Sequence, residues 1–238
     1  IRILMDPWLN TANEGSWAGS KNGKEYIFNS INKKNIDYIY ISHLHTDHFD
    51  LDFLKELKKK QKRIFKIIIK KFADNRLKNQ LIINGFKKNQ IIDVLEFQSF
   101  NLSKTSKIII LPQISSSNTP SQYIKYDLDT SCVFIDSNVS LYNQVDNPYS
   151  LQDIKIIMKN LKKKINVKFD IAFIPYCAAS EFPQSFININ RMKEKKYIIN
   201  KRLNKFLTIG KYLNCANVVP AGGSYHLDSI FSSLNKFL

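Results

Sequence analysis

The stretch that decides the fold is ISHLHTDHFD at residues 41–50, the histidine turn, which holds three of the four histidines of this 238-residue chain. Four side chains of metal-binding type fall within six positions: His43, His45, Asp47 and His48. The strand-like run IDYIYI precedes them, and α/β proteins commonly place functional groups where a strand ends in a turn. This concentration predicts a metal site rather than a polar loop with structural histidines.

The spacing within the histidine turn predicts how the ligands are shared. Residues two apart in an extended segment point to the same side, so His43 and His45 face one position. If the chain coils from Thr46 onward, Asp47 and His48 turn toward a second, adjacent position. Imidazole and carboxylate ligands suit one or two zinc ions, with manganese and iron as open alternatives.

The rest of the chain alternates short apolar runs with helical periodicity, which is typical of an α/β fold. Strands are predicted over residues 2–8, 25–31, 36–43, 63–72, 90–97, 106–113, 123–137, 139–146, 169–176 and 216–223. Helices are predicted over residues 51–60, 73–85, 150–164, 191–212 and 227–237. Ser150 is the expected N-cap of the third helix, with Asp153 near N3.

Strands in both halves with helices outside predict a four-layer αββα sandwich. We expect one domain over residues 1–238, because no linker or repeat divides the chain. The sequence begins without Met inside a strand-like run, so the expectation leaves open that the first strands are absent.

The cysteines and the hydropathy predict a cytoplasmic protein with no membrane partner. Cys132, Cys177 and Cys215 are odd in number and form no CxxC pair, which favours reduced thiols. No apolar run reaches the roughly 18 residues of a transmembrane helix, and no signal peptide is visible.

The net charge of +16 fits an anionic partner, but it also fits a general compositional bias, since lysine, isoleucine and asparagine are all over-used. Nucleic acid is the less favoured partner, because only 5 of the 36 basic residues are arginine, the side chain that best recognises phosphates and bases. An anionic small-molecule substrate fits the charge equally well.

The segment HLHTDH resembles the HxHxDH signature of the metallo-β-lactamase fold superfamily. The resemblance implies the αββα sandwich, a metal-bound hydroxide as nucleophile, and metal ions that polarise the substrate. It also implies that His43 and His45 hold the first metal, whereas Asp47 and His48 belong to the second.

The same resemblance implies a bridging aspartate after a hairpin in the second half, and Asp136 and Asp146 are the candidates. Asp146 is preferred because it follows the returning strand, whereas Asp136 precedes the turn. A third histidine for the first metal would lie between residues 112 and 125, where the sequence has none. His226 either reaches the second metal or caps the final helix.

The segments DPWL, NQVDNP and VPAGG resemble a narrower branch of the superfamily. That branch contains ascorbate-6-phosphate lactonase-like proteins and the C-terminal region of CMP-N-acetylneuraminate hydroxylase. The hydroxylase family also carries a Rieske iron–sulfur domain, for which this chain has no Cys/His pairs. The resemblance implies a nucleotide-sugar or related glycan substrate. Asp6 in the DPW segment either supports a ligand histidine or is a turn residue before Pro7.

We therefore expect a metal-dependent hydrolase acting on an ester, lactone or phosphoester of an anionic sugar or nucleotide sugar. Asp47 would hold and deprotonate the attacking water if it is not a full ligand. One alternative is a binding or accessory module of nucleotide-sugar or glycan metabolism with a degenerate site, which the missing histidines favour. The other is a nucleic-acid-processing nuclease, which the positive charge favours.

Overall fold

The computed structural model describes residues 1–19, 22–114, 129–165, 168–176, 183, 186–222, 227 and 229–237, apart from the side chains of residues 31–33. They fall into two compact units, residues 1–113 with 129–130, and residues 114 and 131–237. Both units combine strands and helices, so the predicted α/β class is confirmed. The single domain over residues 1–238 stays a prediction.

The first unit contains a parallel sheet whose strands alternate with helices along the chain. In chain order its elements are β1 (Ile3–Met5), β2 (Thr11–Ala12), β3 (Trp17–Ala18), α1 (Gly23–Lys33), β4 (Tyr38–Tyr40), α2 (Leu51–Lys60), β5 (Lys66–Lys70), α3 (Arg76–Ile83), a 3-10 turn (Lys88–Gln90), β6 (Ile91–Val94), β7 (Ser99–Asn101) and β8 (Lys107–Pro112). The parallel sheet has the strand order β1-β4-β5-β6, while β2 with β3 and β7 with β8 form antiparallel pairs.

The register of the parallel sheet places the carboxyl ends of β1 and β4 side by side. Met5 pairs with Tyr40, and the Asp6 amide donates to the Tyr40 carbonyl at 2.9 Å. On the other side of β4, the Ile41 amide donates to the Ile68 carbonyl at 3.0 Å. Because parallel strands end at one edge of their sheet, Asp6 and the histidine turn meet there.

The core of the first unit packs one face of this sheet against α2. Alternate strand residues share a face, and the buried set contains Ile39, Ile41, Ile67 and Ile69 from β4, β5 and the residue after β4. The apolar stripe of α2 joins the same cluster through Phe53, Leu54 and Leu57. Burying each such side chain contributes roughly 1.5–3 kcal/mol.

The helix after the histidine turn begins and ends as predicted. Asp50 is the N-cap of α2, and its carboxylate accepts from the Phe53 amide at 2.9 Å. Lys58, Lys59 and Lys60 lie in the last turn, where positive charge is favourable to the helix dipole. The next helix also stops where expected, since Gly85 adopts a φ of 87° just beyond α3.

The strand predicted over residues 25–31 is wrong, because these residues belong to α1. In a strand, Tyr26 and Phe28 would share a face, whereas in a helix they point to opposite sides. Tyr26 is 74% exposed and Phe28 is 9% exposed, which only the helix allows. The apolar residues Ile27, Phe28 and Ile31 follow the helical spacing of one, three and four positions.

The second unit contains the elements β9 (Thr130–Ile135), β10 (Ser140–Asn143), α4 (Leu151–Lys162), β11 (Ile171–Pro175), α5 (Arg191–Leu213), β12 (Asn217–Ala221) and a 3-10 helix (Ser229–Phe237). Its strands follow the order β12-β11-β10-β9. The predicted hairpin is confirmed by the antiparallel pairing of β9 with β10. The predicted Ser150 cap is also confirmed, since Ser150 and Asp153 form a capping box.

Two other expectations change in the second unit. The strand predicted over residues 123–137 begins at Thr130 among the described residues, and its first six positions, residues 123–128, lie outside them. The final helix is a 3-10 helix over Ser229–Phe237 instead of an α-helix. Three serines in these nine residues have low helix propensity, because their hydroxyls compete for backbone hydrogen bonds.

Replacing Phe28 with Ala should lower the free energy of unfolding by about 3 kcal/mol, because the ring is buried in the core. Its centroid lies 5.6 Å from that of Phe53. Urea denaturation followed by circular dichroism measures the change.

The matched control is Tyr26→Ala in the same helix, for which a change within about 0.5 kcal/mol is expected. Equal losses at the two positions would contradict the helix, because they would place both rings on one buried face.

Candidate metal centre

The histidine turn is a compact coil at the carboxyl end of β4. The amides of His48 and Phe49 both donate to the His45 carbonyl, at 3.0 and 2.7 Å. His43 is 1% exposed, whereas His45 is exposed. One ligand-type imidazole therefore comes from the interior of the unit and one from its surface.

The imidazoles of His43 and His45 face one another, as their spacing predicted. His43 Nε2 lies 2.9 Å from His45 Nδ1, and the ring centroids are 4.5 Å apart. Two nitrogens that bind one ion at about 2.0–2.1 Å each lie about 3 Å apart when they are neighbours in its coordination shell. The donor pair therefore fits a divalent transition metal.

The carboxylate of Asp6 connects β1 to the histidine turn. Its Oδ1 accepts from the Ser42 amide at 2.7 Å, and its Oδ2 accepts from the Ser42 hydroxyl at 2.7 Å. The same Oδ2 lies 3.1 Å from His48 Nδ1. Asp6 adopts a φ of 41°, a left-handed conformation that Asp tolerates better than most residues. Of the two roles considered for Asp6, support of a histidine is the one these contacts match.

These contacts assign the imidazole protons. The Ser42 hydroxyl donates to Asp6, so its oxygen accepts from His43 Nδ1 at 2.8 Å. A carboxylate accepts only, so His48 Nδ1 donates to Asp6. Both histidines then keep a lone pair on Nε2, the state that a metal requires.

A third side chain, Asp129, lies beside the two facing imidazoles. Its Oδ1 is 3.5 Å from His43 Nε2. One ligand atom each from His43, His45 and Asp129 all lie within 4.8 Å of one another, so this group could hold an ion. Asp129 was not among the predicted ligands, because the resemblance implied a third histidine between residues 112 and 125. No local pattern marks Asp129, because the fold brings it to His43 from far along the chain.

The other predicted site residues are placed as follows. Asp47 lies in the histidine turn with its Oδ2 3.7 Å from His48 Nε2, and the ring of His48 is 4.2 Å from that of His43 between centroids. Asp146 is exposed in the second unit, three residues beyond β10, and its role as a bridging ligand stays a prediction. His226 lies outside the described residues.

The less favoured candidate for the bridging aspartate, Asp136, lies in the hairpin turn of the second unit. Its amide donates to the Val139 carbonyl at 2.8 Å, and its Oδ1 accepts from the Ser137 amide at 2.6 Å. These hydrogen bonds of Asp136 close the hairpin turn.

Asp50 is the remaining carboxylate of the histidine turn, and it has a structural role. Besides capping α2, its Oδ2 accepts from the amides of Leu9 and Asn10 at 2.9 and 2.7 Å. These bonds hold the segment after β1 against the start of α2.

Comparison with known proteins identifies the superfamily. The family model described as "Beta-lactamase superfamily domain" matches residues 1–143, more than half of the chain. The chain belongs to the beta-lactamase superfamily. This assignment confirms the resemblance seen in the HLHTDH segment.

The metallo-β-lactamase fold is confirmed by a solved structure. The metallo-beta-lactamase fold protein YhfI from Bacillus subtilis superposes with a TM-score of 0.54 at 14% identity, covering 92% of this chain and 76% of that chain. At this identity the similarity concerns the fold alone. A superfamily member with this fold and a His/Asp group is a candidate metallo-hydrolase.

Curated relatives match only short stretches. A protein of Mycolicibacterium smegmatis named as a Rieske 2Fe-2S iron-sulfur protein is 40% identical over 53 residues, or 22% of this chain and 10% of the relative. A protein of Mycobacterium tuberculosis with the same name is 33% identical over 86 residues, or 36% of this chain and 16% of the relative. The chain thus spans less than a fifth of the length of these relatives.

No helix in the described part of the chain is both long and apolar enough to span a bilayer.

Replacing Asp6 with Asn should weaken divalent metal binding about 10–100-fold, because the amide cannot accept from both Ser42 and His48 as the carboxylate does. Asn also tolerates the left-handed backbone, so the change tests the charge rather than the conformation. Competition with a chromophoric zinc chelator measures the affinity.

Asp52→Asn is the matched control, because the Asp52 side chain is 85% exposed at the start of α2. If Asp6→Asn binds the metal as tightly as the parent protein, or if the control loses as much metal affinity, Asp6 does not support the metal centre.

Proposed function

We propose that this chain is a metal-dependent hydrolase in which His43 and His45 hold a divalent ion. The observation that carries the proposal is the 2.9 Å approach of His43 Nε2 to His45 Nδ1, with the other nitrogen of His43 engaged by Ser42. His43 Nε2 presents a lone pair to this point, and His45 Nδ1 presents a second one when the His45 proton is on Nε2. Superfamily membership is the independent support.

A divalent ion held there would lower the pKa of a bound water and polarise a carbonyl or phosphoryl oxygen. The residues around it orient and exchange protons. Asp47 is the proposed proton acceptor, because its carboxylate is partly exposed in the same turn. His48 Nε2, 3.7 Å from Asp47 Oδ2, would orient that carboxylate through a bridging water that donates to both atoms. Asp6 accepts from His48 Nδ1 and so orients the His48 ring, which makes Asp6 a positioning residue.

The proposed substrate is an ester, lactone or phosphoester of an anionic sugar or nucleotide sugar. The net charge of +16 supports an anionic substrate, since it raises the local concentration of negative molecules. The DPWL, NQVDNP and VPAGG segments support a sugar-related one through their resemblance to the lactonase-like branch. Asp146 is proposed as the bridging ligand and His226 as a ligand of a second metal position. The proposed metal is one or two zinc ions, with manganese and iron as alternatives.

The second candidate is a binding or accessory module that works with a separate iron–sulfur domain. The short matches to Rieske-named proteins favour it, because this chain spans a small part of those relatives. In that role the chain would bind a nucleotide sugar without hydrolysing it.

His43→Ala and His45→Ala should each remove the metal and abolish hydrolysis, because each deletes one of two facing nitrogens. Elemental analysis of protein purified without chelator gives the metal content. Lys59→Ala, an exposed change in α2, serves as the control and should retain both.

Hydrolysis is assayed on three probes: p-nitrophenyl acetate, a sugar lactone and bis-p-nitrophenyl phosphate. Turnover that survives in His43→Ala contradicts the hydrolase proposal. Metal-loaded protein that hydrolyses none of the probes but binds a nucleotide sugar in calorimetry supports the accessory module instead.

A further inference from the structure

The first metal position lacks the third histidine that the superfamily resemblance implies. No histidine occurs from residue 112 to residue 125, and the histidines of the first unit all lie in the histidine turn. An ion held by His43 and His45 therefore needs its next protein ligand from another residue type.

Asp129 is held beside His43 by buried hydrogen bonds of its neighbour. The Thr130 hydroxyl donates to the Ser42 carbonyl at 2.8 Å, and the Tyr40 hydroxyl lies 2.5 Å from the same Thr130 oxygen. Thr130, Tyr40 and Ser42 are fully buried. These contacts tie the residue after Asp129 to the residue before His43, which holds the Asp129 backbone beside the histidine turn.

We infer that Asp129 is the third protein ligand of the first metal position and that it raises the affinity for manganese(II) or iron(II) relative to zinc. The inference rests on the proposed function, since it uses the same ion at His43 and His45. It concerns which residues complete the site and which metal they favour.

The donor chemistry gives the direction of the preference. Carboxylate oxygen is a hard ligand that suits manganese, whereas a third imidazole nitrogen would suit zinc. Two histidines and one carboxylate with open positions form the ligand set typical of non-haem iron(II). Zinc still binds more tightly than manganese in absolute terms, because affinity rises along the first-row series. The Asp129 carboxylate makes the difference between the zinc and manganese affinities smaller.

Two claims are tested separately: that Asp129 is a metal ligand, and that it shifts the metal preference away from zinc. The variants are Asp129→Ala, Asp129→Asn and Asp129→His. Dissociation constants for Mn²⁺ and Zn²⁺ are measured on metal-free protein by competition with a chelator. Asp129→Ala should weaken both metals by about a hundredfold or more, since loss of a ligand should exceed the loss of a supporting residue. Asp129→Asn should weaken both less, because the amide oxygen remains a poorer ligand.

Asp129→His is the informative exchange, because it restores three imidazoles. The ratio of the Mn²⁺ to the Zn²⁺ dissociation constant should rise about tenfold or more in this variant. An unchanged ratio would overturn the metal preference. Equal affinities in Asp129→Ala and the parent protein would overturn the ligand assignment.

His43→Ala distinguishes failure of this inference from failure of the proposed function. If His43→Ala loses metal while Asp129→Ala keeps it, Asp129 is not a ligand and the metal site stands. If the parent protein and His43→Ala bind metal equally, the ion is elsewhere and both proposals fail. Circular dichroism and urea denaturation of each variant show that the affinities refer to folded protein.

Discussion

The carboxylate of Asp6 is the interaction on which the metal centre depends. It accepts from the Ser42 amide and hydroxyl and from His48 Nδ1, so one side chain orients both histidine-bearing parts of the turn. Asp6 follows β1 directly, so its position depends on the parallel pairing of β1 with β4. The left-handed backbone at Asp6 is the local strain that this arrangement tolerates.

A second carboxylate secures the same region from the other end of the turn. Asp50 caps α2 and binds the backbone after β1, so the segment that follows Asp6 is fixed to the helix that follows His48. The histidine turn is therefore held at both ends by aspartates that sit outside the proposed ligand set. Rigid support of this kind matters because small displacements of ligand atoms weaken metal binding.

The features predicted correctly from sequence were the local ones. The bounds of α2 and the capping box at Ser150 each depend on residues within a few positions of one another. Asp129 could not be recognised in this way, since its approach to His43 depends on the fold returning the chain to the sheet edge. The wrong strand prediction at α1 has a different cause. Aromatic and apolar residues such as Tyr26 and Phe28 occur in both strands and helices, and only their different exposure in the structure shows the helix.

The pairing of β1 with β4 has a consequence for folding. Asp6 and Ser42 are separated by 36 residues along the chain, so the hydrogen bonds that support the histidine turn form only when the chain folds. The folded protein would bind metal more tightly than the unfolded chain does. Metal binding would therefore raise the free energy of unfolding. At a free metal concentration a hundredfold above its dissociation constant, the addition is about 2.7 kcal/mol. Metal supply in the cell would then control how much of this chain escapes proteolysis.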